Sequence, residues 1–199
     1  MIVGLTGGLG CGKTFVATAL KELGAHIVEA DDIGRVVLGP GGEAAASVIT
    51  EFGSRIAPHG TIERPLLAAI VFSDPAALAR LNAIVHPAVR DHALQEFAAI
   101  YAGDPHAIII YIAAILFESG AVRETSKVIV VTCTPRQQVE RALARPGATL
   151  ADIEARIARQ MPLREKRALA DYVIDAGITK EETLRQTKVV YEELKKLAL

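Results

Sequence analysis

The stretch MIVGLTGGLGCGKTF, residues 1–15, constrains the fold more than any other part of this chain. Gly7, four further residues and Gly12-Lys13-Thr14 satisfy the pattern G-x-x-x-x-G-K-[ST]. A β-branched apolar run precedes the pattern. A helical stripe of Phe15, Val16, Ala19, Leu20 and Leu23 follows it, with Gly24 as a stop. That strand–turn–helix setting is what gives the pattern meaning. Glycines let backbone N–H groups converge on a polyphosphate with no Cβ atoms in the way. The helix then turns its positive end to the anion. Lys13 is placed to reach the β and γ phosphates, and the Thr14 hydroxyl is suited to Mg²⁺.

A strand of this kind needs neighbours, and the sequence supplies them. Apolar runs at Ile2–Thr6, His26–Ala30, Ala107–Ile112, Lys127–Thr132 and Tyr172–Asp175 alternate with helical periodicity. The alternation predicts an α/β fold with a parallel sheet and helices on both faces. Residues 1–199 read as one unit with a core of 1–35, 104–134 and 171–199. Residues 59–103 read as a helical insertion and 135–170 as a second one. In the first, Ser73 or Asp74 is a cap with Pro75 in the first turn, and His86-Pro87 should break the helix. In the second, Thr149 and Asp152 form an acidic variant of the capping box. Ile153, Ile157 and Met161 then share a face, with Arg156, Arg159 and Gln160 on another. The C-terminal helix is expected to turn Leu184, Val189 or Val190, and Leu194 inward.

Composition serves mainly to exclude. Over 199 residues the net charge is −1, which disfavours a charge-driven role on nucleic acid or a membrane. The apolar run AIIIYIAAILF, residues 107–117, is too short to span a bilayer as a helix. The start of the chain shows no basic n-region or cleavage site, so a cytoplasmic protein is expected. The two cysteines, Cys11 and Cys133, lie outside any CxxC and give no zinc or disulfide framework. Cys11 sits at a helix N-terminus, which lowers thiol pKa, so it is expected to be alkylatable and shielded by ATP. Cys133 reads as a small buried filler.

The reaction class follows from what accompanies the loop. No N-K-x-D for guanine is present, and the third strand, IIIYIAAILFE, lacks an aspartate at its tip. A machine that hydrolyses nucleotide would want one there, so phosphoryl transfer to a small acceptor leads. An alcohol acceptor needs a carboxylate to take its proton. The second strand ends in HIVEADDIGR, at the edge of a parallel sheet that binds ligands. Asp31 or Asp32 is therefore a candidate base, and either could instead cap the helix beginning near Ile33. His86 could bind a phosphate or serve as a structural hydrogen-bonder. Residues 123–167 carry ten Lys or Arg against five Asp or Glu. A cationic lid suits an anionic nucleotide, and Arg141 and Arg145 are its candidates.

GLTGGLGCGKT at 4–14, EADDIGR at 29–35, LNAIVHPAVR at 81–90, ILFESG at 115–120 and RIARQMPLREKRALADYVID at 156–175 occur in that order. Together they resemble the dephospho-CoA kinase family over about residues 1–190. The resemblance implies a five-stranded parallel P-loop kinase core with a helical substrate-binding insertion and a lid. It implies ATP-dependent phosphorylation of the ribose 3′-hydroxyl of dephospho-CoA, with Mg²⁺, in a monomer or small homo-oligomer. By the same resemblance Gly8, Gly10, Cys11, Gly12, Lys13, Thr14 and Phe15 bind ATP, and Thr14 holds the metal. Asp31 is the base, and Arg35, His86 and Arg90 lie on the acceptor side. Arg141 and Arg145 close over the phosphates. Three departures stand out: Ala114 and Ile112 replace a Pro and an Asp, Ala176 replaces an Asn, and the loop reads K-T-F where K-S-T is usual. The alternatives are a kinase for another small alcohol or nucleoside monophosphate, and an ATP-binding module without turnover.

Overall fold

The computed structural model describes residues 1–198. The chain divides into two compact units, one of Met1–Val28 with the residues from Ile100 onward, the other Glu29–Ala99. The strands are β1 (Ile2–Gly7), β2 (His26–Glu29), β3 (Ile109–Ile112), β4 (Lys127–Thr132) and β5 (Tyr172–Asp175). The helices among the described residues are α1 (Lys13–Glu22), α2 (Ala30–Val37), α3 (Ala45–Phe52), α4 (Arg64–Ser73), α5 (Pro75–Gly103), α6 (Pro135–Leu143), α7 (Leu150–Ala158), α8 (Leu163–Ala168) and α9 (Lys180–Ala198). None of them is long and apolar enough to cross a membrane.

The five apolar runs become a five-stranded parallel sheet in the order β2-β3-β1-β4-β5. Val3 and Leu5 of β1 lie opposite Ile110 and Ile112 of β3 on one side, and opposite Lys127 and Ile129 of β4 on the other. Central strands covered on both faces have no need to alternate polar and apolar residues, which is why they read as runs. Helices α1 and α9 cover one face. Val3, Leu5, Val16, Leu20, Ile110, Ile129, Val131, Ile174, Tyr191 and Leu194 form the core there. Each such side chain contributes about 1.5–3 kcal/mol by leaving water. Just before β5, Asp171 accepts from Lys127 Nζ (2.8 Å) and from the Val128 amide (2.8 Å), fixing β5 against β4.

Helix α9 departs from the expected pattern. Its inward face is Thr183, Thr187, Val190, Tyr191 and Leu194, while Leu184 and Val189 are 41% and 47% exposed. The Thr183 and Thr187 hydroxyls donate to the carbonyls of Thr179 (2.9 Å) and Thr183 (2.8 Å). Bonded back to their own helix, they can be buried at positions that hydropathy assigns to leucine.

In the second unit, Asp74 rather than Ser73 caps α5, accepting from the Ala76 amide at 2.8 Å. Ser73 instead donates back to Ala69 and Ile70 (2.9 and 3.0 Å). The expected break at His86-Pro87 does not occur, and α5 runs on for 29 residues with Pro87 inside it. An interior proline removes one helical hydrogen bond and costs about 3 kcal/mol. Buried Ala77 on one side, with Ala93 and Phe97 on the other, anchors both halves, so packing overrides the local rule. In the second helical insertion Thr149 caps α7 through the Asp152 amide (3.2 Å), as its spacing predicts. Met161 lies beyond the end of α7 rather than on its face.

Candidate active site

The residues singled out by sequence divide between the two units. In the first unit the bend from β1 into α1 is built from main chain. Gly10 has φ +75°, and a Cβ there would stand 2.5 Å from the Gln138 carbonyl oxygen. Gly12, the N-cap of α1, is left-handed at φ 87°. Only glycine takes up both demands without strain. The Cys11 amide donates to Gly8 O and the Val16 amide to Gly12 O, each at 3.2 Å. Lys13 Nζ folds back over the bend, donating to Gly7 O (3.0 Å) and Gly8 O (3.1 Å). Thr14 is exposed in the first turn of α1, and Phe15 beside it is half-buried. The arrangement is an N-terminal helix end with a cation and a hydroxyl beside it, which suits a polyphosphate.

Helix α6 forms a second wall to the bend. Thr134 and Gln137 close a capping box at its start. Gln138 is buried, donates from Nε2 to Cys11 Sγ (3.2 Å), and backs Gly10 with its main chain. One turn on, Arg141 Nη2 donates to Ala176 O (2.8 Å). Arg141 Nη1 lies 4.0 Å from where a Gly12 Cβ would stand, and the Ala176 methyl lies 3.4 Å from that same point. Arg141 is thus beside the bend. Arg145, exposed beyond the end of α6, makes no side-chain bond among the described residues. Sequence reasoning gave no role to Gln138, for which no motif gives a signal. It placed Gln160 on a helix face with Arg156 and Arg159 but gave it no role, whereas its Oε1 accepts from the Leu9 amide at 3.1 Å. Gln160 lay in plain view inside the R-Q-M-P string.

The expected reactivity of Cys11 is corrected by burial. Cys11 is fully buried, with its Sγ 3.1 Å from that of Cys133, the donor of the pair. Burial, reinforced by the bond to Cys11, pushes the Cys133 thiol up to about 12. A place near a helix N-terminus favours a thiolate only where solvent and reagent can reach it.

In the second unit α2 begins at Ala30, earlier than Ile33, and its N-cap Glu29 makes no side-chain cap. Neither aspartate therefore caps the helix. Asp32 is ion-paired with Arg35 three residues on, both side chains well exposed. Asp31 is exposed and makes no hydrogen bond or ion pair among the described residues. On α5, burial holds the His86 imidazole below its ordinary value, so it is neutral at pH 7. Arg90 stands one turn along on the same face, with Nη1 3.8 Å from Asp91.

No three His, Cys, Asp or Glu side chains gather to hold a metal among the described residues. The single hard oxygen of Thr14 at the bend fits a metal carried mainly by phosphate oxygens, as Mg²⁺ is.

A family model described as Dephospho-CoA kinase matches residues 1–181. A dephospho-CoA kinase of Leifsonia xyli subsp. xyli is 42% identical over 195 residues, covering 98% of each chain. The crystal structure of TT1252 from Thermus thermophilus superposes with a TM-score of 0.80 at 31% identity, covering 98% of this chain and 97% of that one. The dephospho-CoA kinase from Campylobacter jejuni has a TM-score of 0.73 at 23% identity, covering 100% of this chain and 98% of its own, and speaks for the fold alone.

Proposed function

This chain belongs to the dephospho-CoA kinase family, and from that premise we propose how its residues carry out the ATP-dependent phosphorylation of dephospho-CoA. The acceptor atom is the ribose 3′-hydroxyl. Lys13 trades the carbonyls of Gly7 and Gly8 for phosphate oxygens of ATP, and the amides of Gly8, Gly10, Cys11, Gly12, Lys13, Thr14 and Phe15 line the phosphate chain. Thr14 would hold Mg²⁺, which neutralises phosphate charge when bound. Asp31 takes the proton of the attacking hydroxyl. Arg35, His86 and Arg90 orient the acceptor, with His86 a neutral hydrogen-bonder rather than a cation. Arg141 steadies the charge that builds on the transferring group, and Arg145 closes over it from the lid.

The observation that supports this reading most is the bend itself, with left-handed Gly10 and Gly12 ahead of α1 and Lys13 folded over them. We further propose a cytoplasmic monomer or small homo-oligomer that engages neither nucleic acid nor membrane. The test is an acceptor panel. Purified protein with Mg·ATP is offered dephospho-CoA, AMP, CMP and shikimate, and products are identified by mass. Phosphorylation of dephospho-CoA at the ribose is expected. Preferential turnover of another acceptor overturns the assignment, and ATP binding with no turnover at all marks a binding module.

A further inference from the structure

Lys166 on α8 is completely buried, a cation where an apolar side chain would be ordinary. Its Nζ donates to Ala114 O at 2.7 Å and pairs with Glu118 Oε1 at 2.9 Å. Ala114 follows β3 by two residues. Its oxygen also accepts from the Thr6 hydroxyl at 3.4 Å, next to the root of the phosphate-binding bend. The same Glu118 oxygen accepts the Met161 amide at 2.7 Å. The residue before Met161 is Gln160, whose side-chain oxygen holds the Leu9 amide at 3.1 Å. An unbroken series of polar contacts thus runs from a buried ammonium through Glu118 and the main chain of 160–161 into the loop.

Stability alone gives little reason for such a pair. Taking the Lys166 ammonium out of water costs several kcal/mol, Glu118 reaches it from a side chain still 21% exposed, and apolar replacements of such pairs are often neutral or better. What the charges do supply is direction. An ion pair with fixed geometry sets Glu118, and Glu118 sets the main chain that carries Gln160. With the Leu9 amide given to Gln160 and the Cys11 amide to Gly8, the protein itself fixes the curvature of the loop.

We infer that Lys166 and Glu118 are positioning residues for the phosphate loop, acting through Gln160 on the Leu9 amide to hold the loop in its ATP-accepting form. The inference rests on the kinase reading and assigns these residues no contact with substrate. Its signature is selective: ATP binding weakens and acceptor binding does not.

The cleanest variant is Gln160→Met, which keeps the length and removes the oxygen. Calorimetric titration with Mg·ATP in the absence of acceptor is expected to show a Kd raised about tenfold, the loss of roughly one hydrogen bond. The ATP KM should rise with it, the dephospho-CoA KM should hold, and the thermal midpoint should stay near that of the unmodified protein. Lys166→Met leaves Glu118 without its partner and should lower the midpoint as well. The double variant Lys166→Met with Glu118→Leu removes both charges and should recover the midpoint while ATP affinity stays weak. Unchanged ATP affinity in Gln160→Met overturns the inference. So does affinity that returns with stability in the double variant, which would mark a purely structural pair. Because the titration contains no acceptor, a protein that binds ATP but ignores dephospho-CoA would defeat the functional reading and leave this test standing.

Discussion

The glycine-rich bend before α1 and the segment after β2, which the proposed reaction would use together, are opposite constructions. The bend, residues 7–15, is made of main chain. Its turns rest on glycines, its Leu9 and Cys11 amides are bonded within the protein, and Gln138 and Gln160 brace it from distant parts of the sequence. The segment 29–37 offers side chains on a short helix. Asp31 has no partner among the described residues, and Arg35 has only the exposed Asp32, a kind of pair worth about 0–1 kcal/mol. Main-chain donors cannot swing toward a ligand, so their geometry must be fixed in advance. Side chains can turn, so theirs need not be. Damage to the glycines of the bend should therefore strike nucleotide affinity and stability together, loss of an outside brace such as Gln160 should strike affinity alone, and damage to the segment should strike turnover or acceptor alone.

That contrast can be broken outright at Asp31. Asp31→Asn should lower kcat by about a thousandfold while the Kd for Mg·ATP, read by calorimetry, stays put. A parallel loss of ATP affinity would erase the distinction. Gly10→Ala is the counterpart in the bend. A methyl there meets Gln138 O at 2.5 Å in a left-handed conformation. The left-handed strain of about 1–2 kcal/mol, with the main-chain clash added to it, should lower the melting temperature by at least about 4 °C, and the ATP KM should climb about tenfold or more. Arg35→Ala should raise the dephospho-CoA KM about tenfold, with ATP KM and melting temperature nearly unmoved. A drop in stability would mean that the exposed pair matters to the fold.

The smallest effect is electrostatic. Burial holds the His86 pKa down, so the unfolded chain takes up the proton more readily than the folded one. The penalty is absent well above about pH 6.5 and grows as pH falls through that value toward the lower folded one. Denaturant titrations at two pH values, one on each side of this window, should show His86→Gln losing less stability on acidification than the parent. An equal loss would assign the acid sensitivity to other groups.

Much of the fold was legible because it is local or repetitive. Central strands buried on both faces announce themselves as apolar runs, and the bend is a single uninterrupted motif. The Thr149 cap could be read from spacing for the same reason. What escaped was set by partners far away in the chain. Nothing near Cys11 says that Gln138 covers it, nothing near Leu9 points to Gln160, and nothing in R-E-K-R-A says that its lysine is buried. Pro87 and the threonines of α9 misled for a related reason. Local preference favoured a break and an apolar face, while packing at Ala77, Ala93 and Phe97, and bonding back to the helix, decided otherwise.

Ala114 and Ala176, which the sequence reading marks as departures from the resembled pattern, hydrogen-bond Lys166 and Arg141 through their carbonyl oxygens. A peptide oxygen is the same whichever residue carries it. These two joints therefore do not depend on which side chain stands at either position, and substitution there leaves the scaffold's grip on its cations intact. The unforgiving neighbour is Gly12: there is room for a methyl beside Ala176, but the left-handed φ of +87° strains any residue that carries one.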